Sequence, residues 1–213
     1  LLDQHVEKIF YPCMTYNVDE QISDNHFNCP LVAYYPEQID ANMDMEGTDF
    51  LHPYIVLDDM KNFEKRISEV FAAHDMPHDR RIIRKAAEWY ARFNARAPVY
   101  RAFHARLHEE HERAVAYARA HHHPIAVVCG RPYHGDPFIS HEITKLLTQL
   151  GFVVVSEESV PLQEKRAVGV LNQWTYHARL YQAAYYAAAQ PDMELIHLVS
   201  FGCGIDAITS DEV

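Results

Sequence analysis

Four cysteines and one Gly-Pro-His loop carry most of the reactive chemistry in this 213-residue chain. Cys13 follows Pro12, Cys29 precedes Pro30, and Cys203 stands between Gly202 and Gly204 in "LVSFGCGIDA". A cysteine that only filled core would sit inside an apolar run, whereas Cys203 sits just past one. Thiolate ligands of iron–sulfur clusters suit such places, because loop backbone can fold around the inorganic core and offer N–H groups to its sulfides. Cys129 differs. It lies within the β-branched run "IAVVCG" and reads as core filler. The chain contains no CxxC pair, and the spacing leaves three readings open. The thiols are reduced, partly buried side chains, zinc ligands joined by His26 or His134, or cluster ligands.

The loop "GRPYHGDP" adds Arg131 and His134 as candidate catalytic residues. Arg131 can hold a carboxylate or phosphate or offset cluster charge; the plainer reading is a surface or helix-capping arginine. His134 is either a hydrogen-bond donor or proton relay, or a structural turn histidine. Ser156, Glu157 and Glu158 follow the next apolar run and either line the same crevice or form a solvated edge. Asp206 reads as the N-cap of a following turn, with a catalytic carboxylate as the other reading. Residues His121–His123 read as a polar helix end whose imidazoles meet the C-terminal dipole.

Alternating elements must position these residues. Lys8–Tyr11 reads as a strand stopped by Pro12, and a polar loop then carries the chain from Cys13 to Cys29. Further apolar runs are "PLVAYYPEQID" and Phe50–Leu57, the latter interrupted by Pro53. Met60–Ala73 has helical spacing, with Phe63, Ile67, Val70 and Phe71 on one face. A second helix presents Ile82, Ile83, Ala86, Trp89, Tyr90, Phe93 and Ala97, and Pro98 breaks it. A third starts near Val99 with Tyr100, Phe103, Leu107, Ala114 and Tyr117 as its stripe. These stripes read as core and docking faces. Beyond residue 124, strands at 125–129, 152–155 and 195–199 alternate with helices at 139–150 and 179–189. Such alternation predicts a parallel sheet. The fold class is therefore α/β, with parallel-sheet Rossmann- or flavodoxin-like layers and a helical insertion. Three segments follow: residues 1–59 with the cysteine loop, a helical insertion at 60–121, and a parallel α/β portion at 122–213. The last helix, opening at Thr209 or Ser210, reads as cut short, which predicts a fragment of a longer protein.

Composition limits the function. The net charge of −11 disfavours nucleic acid, which requires a basic footprint. No apolar stretch reaches the roughly 20 residues that span a bilayer. Four cysteines in a chain of this length do not suggest a secreted disulfide scaffold, so a reducing, cytoplasmic compartment is expected.

The segments "FYPCMTYNVDEQISDNHFNCPLVAYYPEQI", "GRPYHGDPFISHEITKLLTQLGFVVVSEESV" and "SFGCGIDAITSDEV" resemble the C-terminal region of the large CoA-substrate-specific enzyme activases. These activate the 2-hydroxyacyl-CoA dehydratases of anaerobic bacteria, and the region is itself similar to the dehydratase subunits. The resemblance covers both ends of the chain and not its helical middle. It implies a 4Fe–4S cluster held by Cys13, Cys29 and Cys203, with Cys129 outside the set. It also implies a part in low-potential electron transfer or in dehydratase-like radical chemistry on an acyl-CoA. The implied partners are other domains of the same long chain, dehydratase subunits or acyl-CoA. Whether the region is itself an enzyme stays open. The alternative is a cluster-free module of the same protein that docks partners.

Overall fold

The computed structural model describes all residues except 18, 58, 97, 162–164, 166 and 201–202, and none of the side chains at 91, 93–96 and 98–101. Its contacts divide the chain into two compact units, one of Leu1–Val18 and His26–Ala97, the other of Asp19–Asn25 and Pro98–Val213. The helical stretch read as one insertion is thus shared between them.

The first unit is built on a broken parallel pair. Strand β1 (Lys8–Phe10) runs beside β3 (Asp49–Leu51), and β2 (Cys13–Met14) runs beside β4 (Tyr54–Ile55). Lys8 faces Asp49 and Cys13 faces Tyr54, so both pairs share one offset (49 − 8 = 54 − 13 = 41). Pro12 and Pro53 interrupt the ladder because proline has no N–H to give. The Tyr11 and Cys13 amides bridge the gap by donating to the Leu51 and Pro53 carbonyls. The run "PLVAYYPEQID" folds as helices α1 (Pro30–Ala33) and α2 (Tyr35–Asn42). Prolines at 30 and 36 stand in the first turn of each, where a missing N–H costs nothing.

Helix α3 (Met60–Ala73) opens on the Asp59 carboxylate, which accepts from the Lys61 and Asn62 amides. With α4 (Arg80–Arg96) it closes a small core of Ile55, Ile67 and Ile83, flanked by Met14, Phe63 and Phe71. The stripe expected on α4 is only partly inward. Ile83 and Ala87 are buried, whereas Ile82 is 65% and Trp89 61% exposed. One turn of helix spans 3.6 residues, so Ile82 and Ile83 stand about 100° apart and cannot share a narrow contact. Phe93, Ala97 and Tyr100 lie outside the described side chains.

In the second unit, β5 (Ile125–Cys129), β6 (Val153–Ser156) and β7 (Met193–His197) form one parallel sheet in the order β6-β5-β7. This is the arrangement expected from the alternating runs, and the chain is α/β. Ile125, Val127 and Cys129 enter one cluster with Val115 and Ala118 of α5 (Pro98–Ala120) and with Leu180, Ala183 and Ala187 of α7 (Thr175–Ala188). Each Ile, Val or Leu of this cluster stabilises the fold by roughly 1.5–3 kcal/mol on full burial.

Helix α5 also departs from its expected stripe. Its inner face is Leu107, His108, His111, Ala114, Val115 and Ala118, while Phe103 and Tyr117 are exposed. Polar histidines at inward positions concealed the true register. His111 is fully buried yet satisfied, since its Nδ1 lies 3.1 Å from Ser159 Oγ and its Nε2 2.9 Å from the Tyr186 hydroxyl.

Helix α6 (Ile143–Gln149) ends at Gly151, whose φ of +93° suits a left-handed cap. The last helix, α8 (Gly204–Glu212), starts earlier than expected. Thr209 and Ser210 do not cap it; their hydroxyls donate back to the Ile205 and Asp206 carbonyls within it. Among the described residues no helix is long and apolar enough to cross a membrane.

Candidate functional site

At the carboxyl end of β5 the backbone makes a close turn at Gly130. A Cβ there would stand 2.5 Å from His134 Nδ1 and 3.0 Å from the Leu198 carbonyl, so only glycine fits. The next residue, Arg131, is 5% exposed and so is no surface arginine; it stands at the N-cap position of the 3-10 turn Pro132–Gly135. Its Nε and Nη2 donate to one oxygen of Asp206 at 3.0 and 2.6 Å, and Nη2 also donates to Cys203 Sγ at 3.2 Å. The other Asp206 oxygen accepts the Ser200 amide at 2.9 Å.

Asp206 therefore does not cap a turn as expected. It lies in the first turn of α8 and anchors Arg131 beside the sulfur. Burial pushes its carboxyl up, but the Ser200 amide, the Arg131 guanidinium and His177 outweigh burial and hold it below the usual carboxylate range.

Cys203 sits at the cap position of α8 and is half-buried. Gly202, one of the two glycines beside it, lies outside the described residues. Two histidines, His177 buried and His197 half-buried, lie near the group. His177 is 1% exposed, its Nε2 lies 3.7 Å from Asp206, and neither ring nitrogen is within hydrogen-bonding reach of a described partner. Burial lowers its pKa to about 4. His197, at the end of β7, is lowered in the same direction by the same cause. The sequence offered no sign of either, since a histidine inside an aromatic helix or an apolar strand reads as packing.

His134 lies in the loop after β5, where its Nδ1 accepts the Arg131 amide at 3.0 Å. It lines a crevice of about 460 Å³ with Glu157, Glu158 and Ser156, beyond the end of β6. The two glutamates differ. Glu158 is largely solvated, but burial pushes Glu157 up to about 7. The solvated-edge reading thus holds for one of the pair. Cys129 is fully buried in the cluster beneath, which pushes its thiol up to about 12, and it has no character of a ligand or nucleophile at neutral pH.

In the first unit, Cys13 is fully buried and burial raises its thiol, while its sulfur accepts the Glu37 amide in the first turn of α2. Cys29 caps α1 and is 6% exposed. The polar loop between them is pinned at its neck. The Asn28 amide donates to the Thr15 carbonyl, the Asn28 side chain donates to the Met14 carbonyl, and Tyr16 bridges Phe27. Cys13 and Cys29 accordingly belong to one closed loop, and Cys203 belongs to the other unit. Among the described residues no set of three or more His, Cys, Asp or Glu side chains is disposed to hold a metal ion.

A family model described as a CoA enzyme activase uncharacterised domain matches residues 1–160. The match includes Cys13, Cys29, Arg131, His134 and Glu157 and ends before Cys203. No curated protein and no solved structure shows a match to the chain. The family match covers most of the chain and agrees with the resemblance carried by its cysteine loop and Gly-Pro-His loop: the chain belongs to the family of the CoA enzyme activase domain.

Proposed function

We propose that this domain serves low-potential electron transfer in an activase of the 2-hydroxyacyl-CoA dehydratase type, through a 4Fe–4S cluster held by Cys13, Cys29 and Cys203. The observation that carries the reading is the pair of N–H donors aimed at two of these sulfurs, the Arg131 guanidinium at Cys203 and the Glu37 amide at Cys13. Ligand sulfurs of such clusters take N–H bonds that stabilise their charge and tune potential. The N–H bonds at Cys13 and Cys203 therefore fit such a group. A cluster with three protein thiolates supplies one electron at low potential and leaves one iron without a protein ligand.

The remaining work falls to side chains of the chain itself. Asp206 fixes Arg131 by two hydrogen bonds, so the guanidinium stays at the sulfur instead of turning to solvent. The Ser200 amide fixes Asp206 in turn. Partners on this reading are other domains of the same long chain, dehydratase subunits or an acyl-CoA. The cluster-free docking module is the second reading, and exposed Ile82 and Trp89 on α4 favour it. Anaerobic reconstitution with iron and sulfide separates the two. The cluster reading expects a brown protein with roughly four irons per chain, and a colourless, iron-free protein refutes it.

A further inference from the structure

The crevice of the second unit has chemistry that iron binding leaves unused. Strand β5 is the first of the three strands of its sheet in chain order yet lies at the centre, so the chain turns to β6 on one side and then to β7 on the other. Parallel sheets take their ligands beyond the carboxyl ends of the strands at such a reversal. The crevice of about 460 Å³ lies there, with Val128, Val154 and Leu198 as apolar walls and His134 and Glu157 as polar groups.

The orientation of His134 is fixed. Its Nδ1 accepts the Arg131 amide at 3.0 Å, so in the neutral ring the proton is on Nε2. Burial lowers its pKa, which favours the neutral ring. Nε2–H has no partner among the described residues and is left to the crevice. Glu157, raised by burial to about 7, is a carboxylic acid at mildly acid pH and offers a second O–H donor. Arg131, a cation of the lining, is committed to Asp206, and Arg179 of α7 is committed to Glu20. Among the described residues, an entering anion therefore meets the Glu158 carboxylate and cations already engaged.

We propose that this crevice binds a small uncharged ligand through a carbonyl-type oxygen, which accepts from His134 Nε2–H and from the Glu157 carboxyl group, and that it rejects anions. The site is independent of iron.

The test uses the whole chain without iron and three molecules of one shape but different charge: benzamide, benzoate and benzamidine. Binding is read from the shifts of crevice amides by nuclear magnetic resonance at about pH 6 and about pH 8. Benzamide is expected to bind, and benzoate to bind at least about tenfold more weakly. The groups facing Glu157 are Glu158 on its own turn, Arg179 of α7 and Cys129 of β5; its own backbone amide and Arg179 oppose the upward shift, and burial outweighs them. Loss of the Glu157 proton should weaken benzamide about tenfold from pH 6 to pH 8. Glu157→Gln retains a donor and should bind benzamide equally at both pH values, whereas Glu157→Ala should lose binding. The proposal is overturned if benzoate or benzamidine binds as well as benzamide, if no amide of the crevice shifts, or if Glu157→Gln loses benzamide while its spectrum stays native.

Discussion

Arg131 and Asp206 form a nearly buried pair whose worth lies in being complete. Removing one partner leaves an uncompensated charge in low dielectric, which costs about 3–5 kcal/mol. Arg131→Ala should therefore lower the denaturation midpoint sharply. His177 and Glu157 set opposing dependences on pH. His177 ionises at about 4 folded against 6.5 in the open chain, so its contribution is complete above pH 6.5 and is lost as pH falls toward 4. Glu157 ionises at about 7 folded against 4.5, so its contribution is complete below pH 4.5 and is lost as pH rises through 7. Each shift corresponds to about 3 kcal/mol. Urea unfolding from pH 4 to 7 should show Glu157→Gln gaining more stability with rising pH than the parent chain, and His177→Gln gaining less. Equal slopes in all three would mean that neither group is buried as described. The carboxylate of Asp206, held low, enters only at more acid pH.

Elements were legible where hydrophobic runs were long and unbroken. The three strands of the second unit and α3 stand where apolar spacing put them, because β-branched runs such as "IAVVC" have few alternatives to a buried strand. Faces were less legible than elements. Counting aromatics on α4 and α5 gave stripes that included Ile82, Trp89, Phe103 and Tyr117, all exposed, and passed over His108 and His111, which face inward. Hydropathy ranks histidine as polar, but a neutral imidazole with both nitrogens bonded packs as an aromatic ring. The register is testable on adjacent residues. Ile83→Ala should cost about 2–4 kcal/mol and Ile82→Ala less than about 0.5 kcal/mol. Similar losses at both positions would contradict the assigned face.

At the scale of the whole molecule, the ligand residues belong to different parts of the chain. Cys13 and Cys29 belong to the first unit, and Cys203 caps α8 in the second. The sequence marked all three by their Pro and Gly neighbours, yet it could not disclose the Arg131–Asp206 pair behind Cys203, because the partners lie 75 residues apart. The family match bears out the relationship to CoA enzyme activases and leaves the cluster to experiment. The most direct measurement is iron content per chain after anaerobic reconstitution of the parent, Cys203→Ala and Cys129→Ala. Roughly four irons in the parent and in Cys129→Ala, with none retained by Cys203→Ala, is the predicted result. An iron-free parent, or equal loss in both variants, would contradict it.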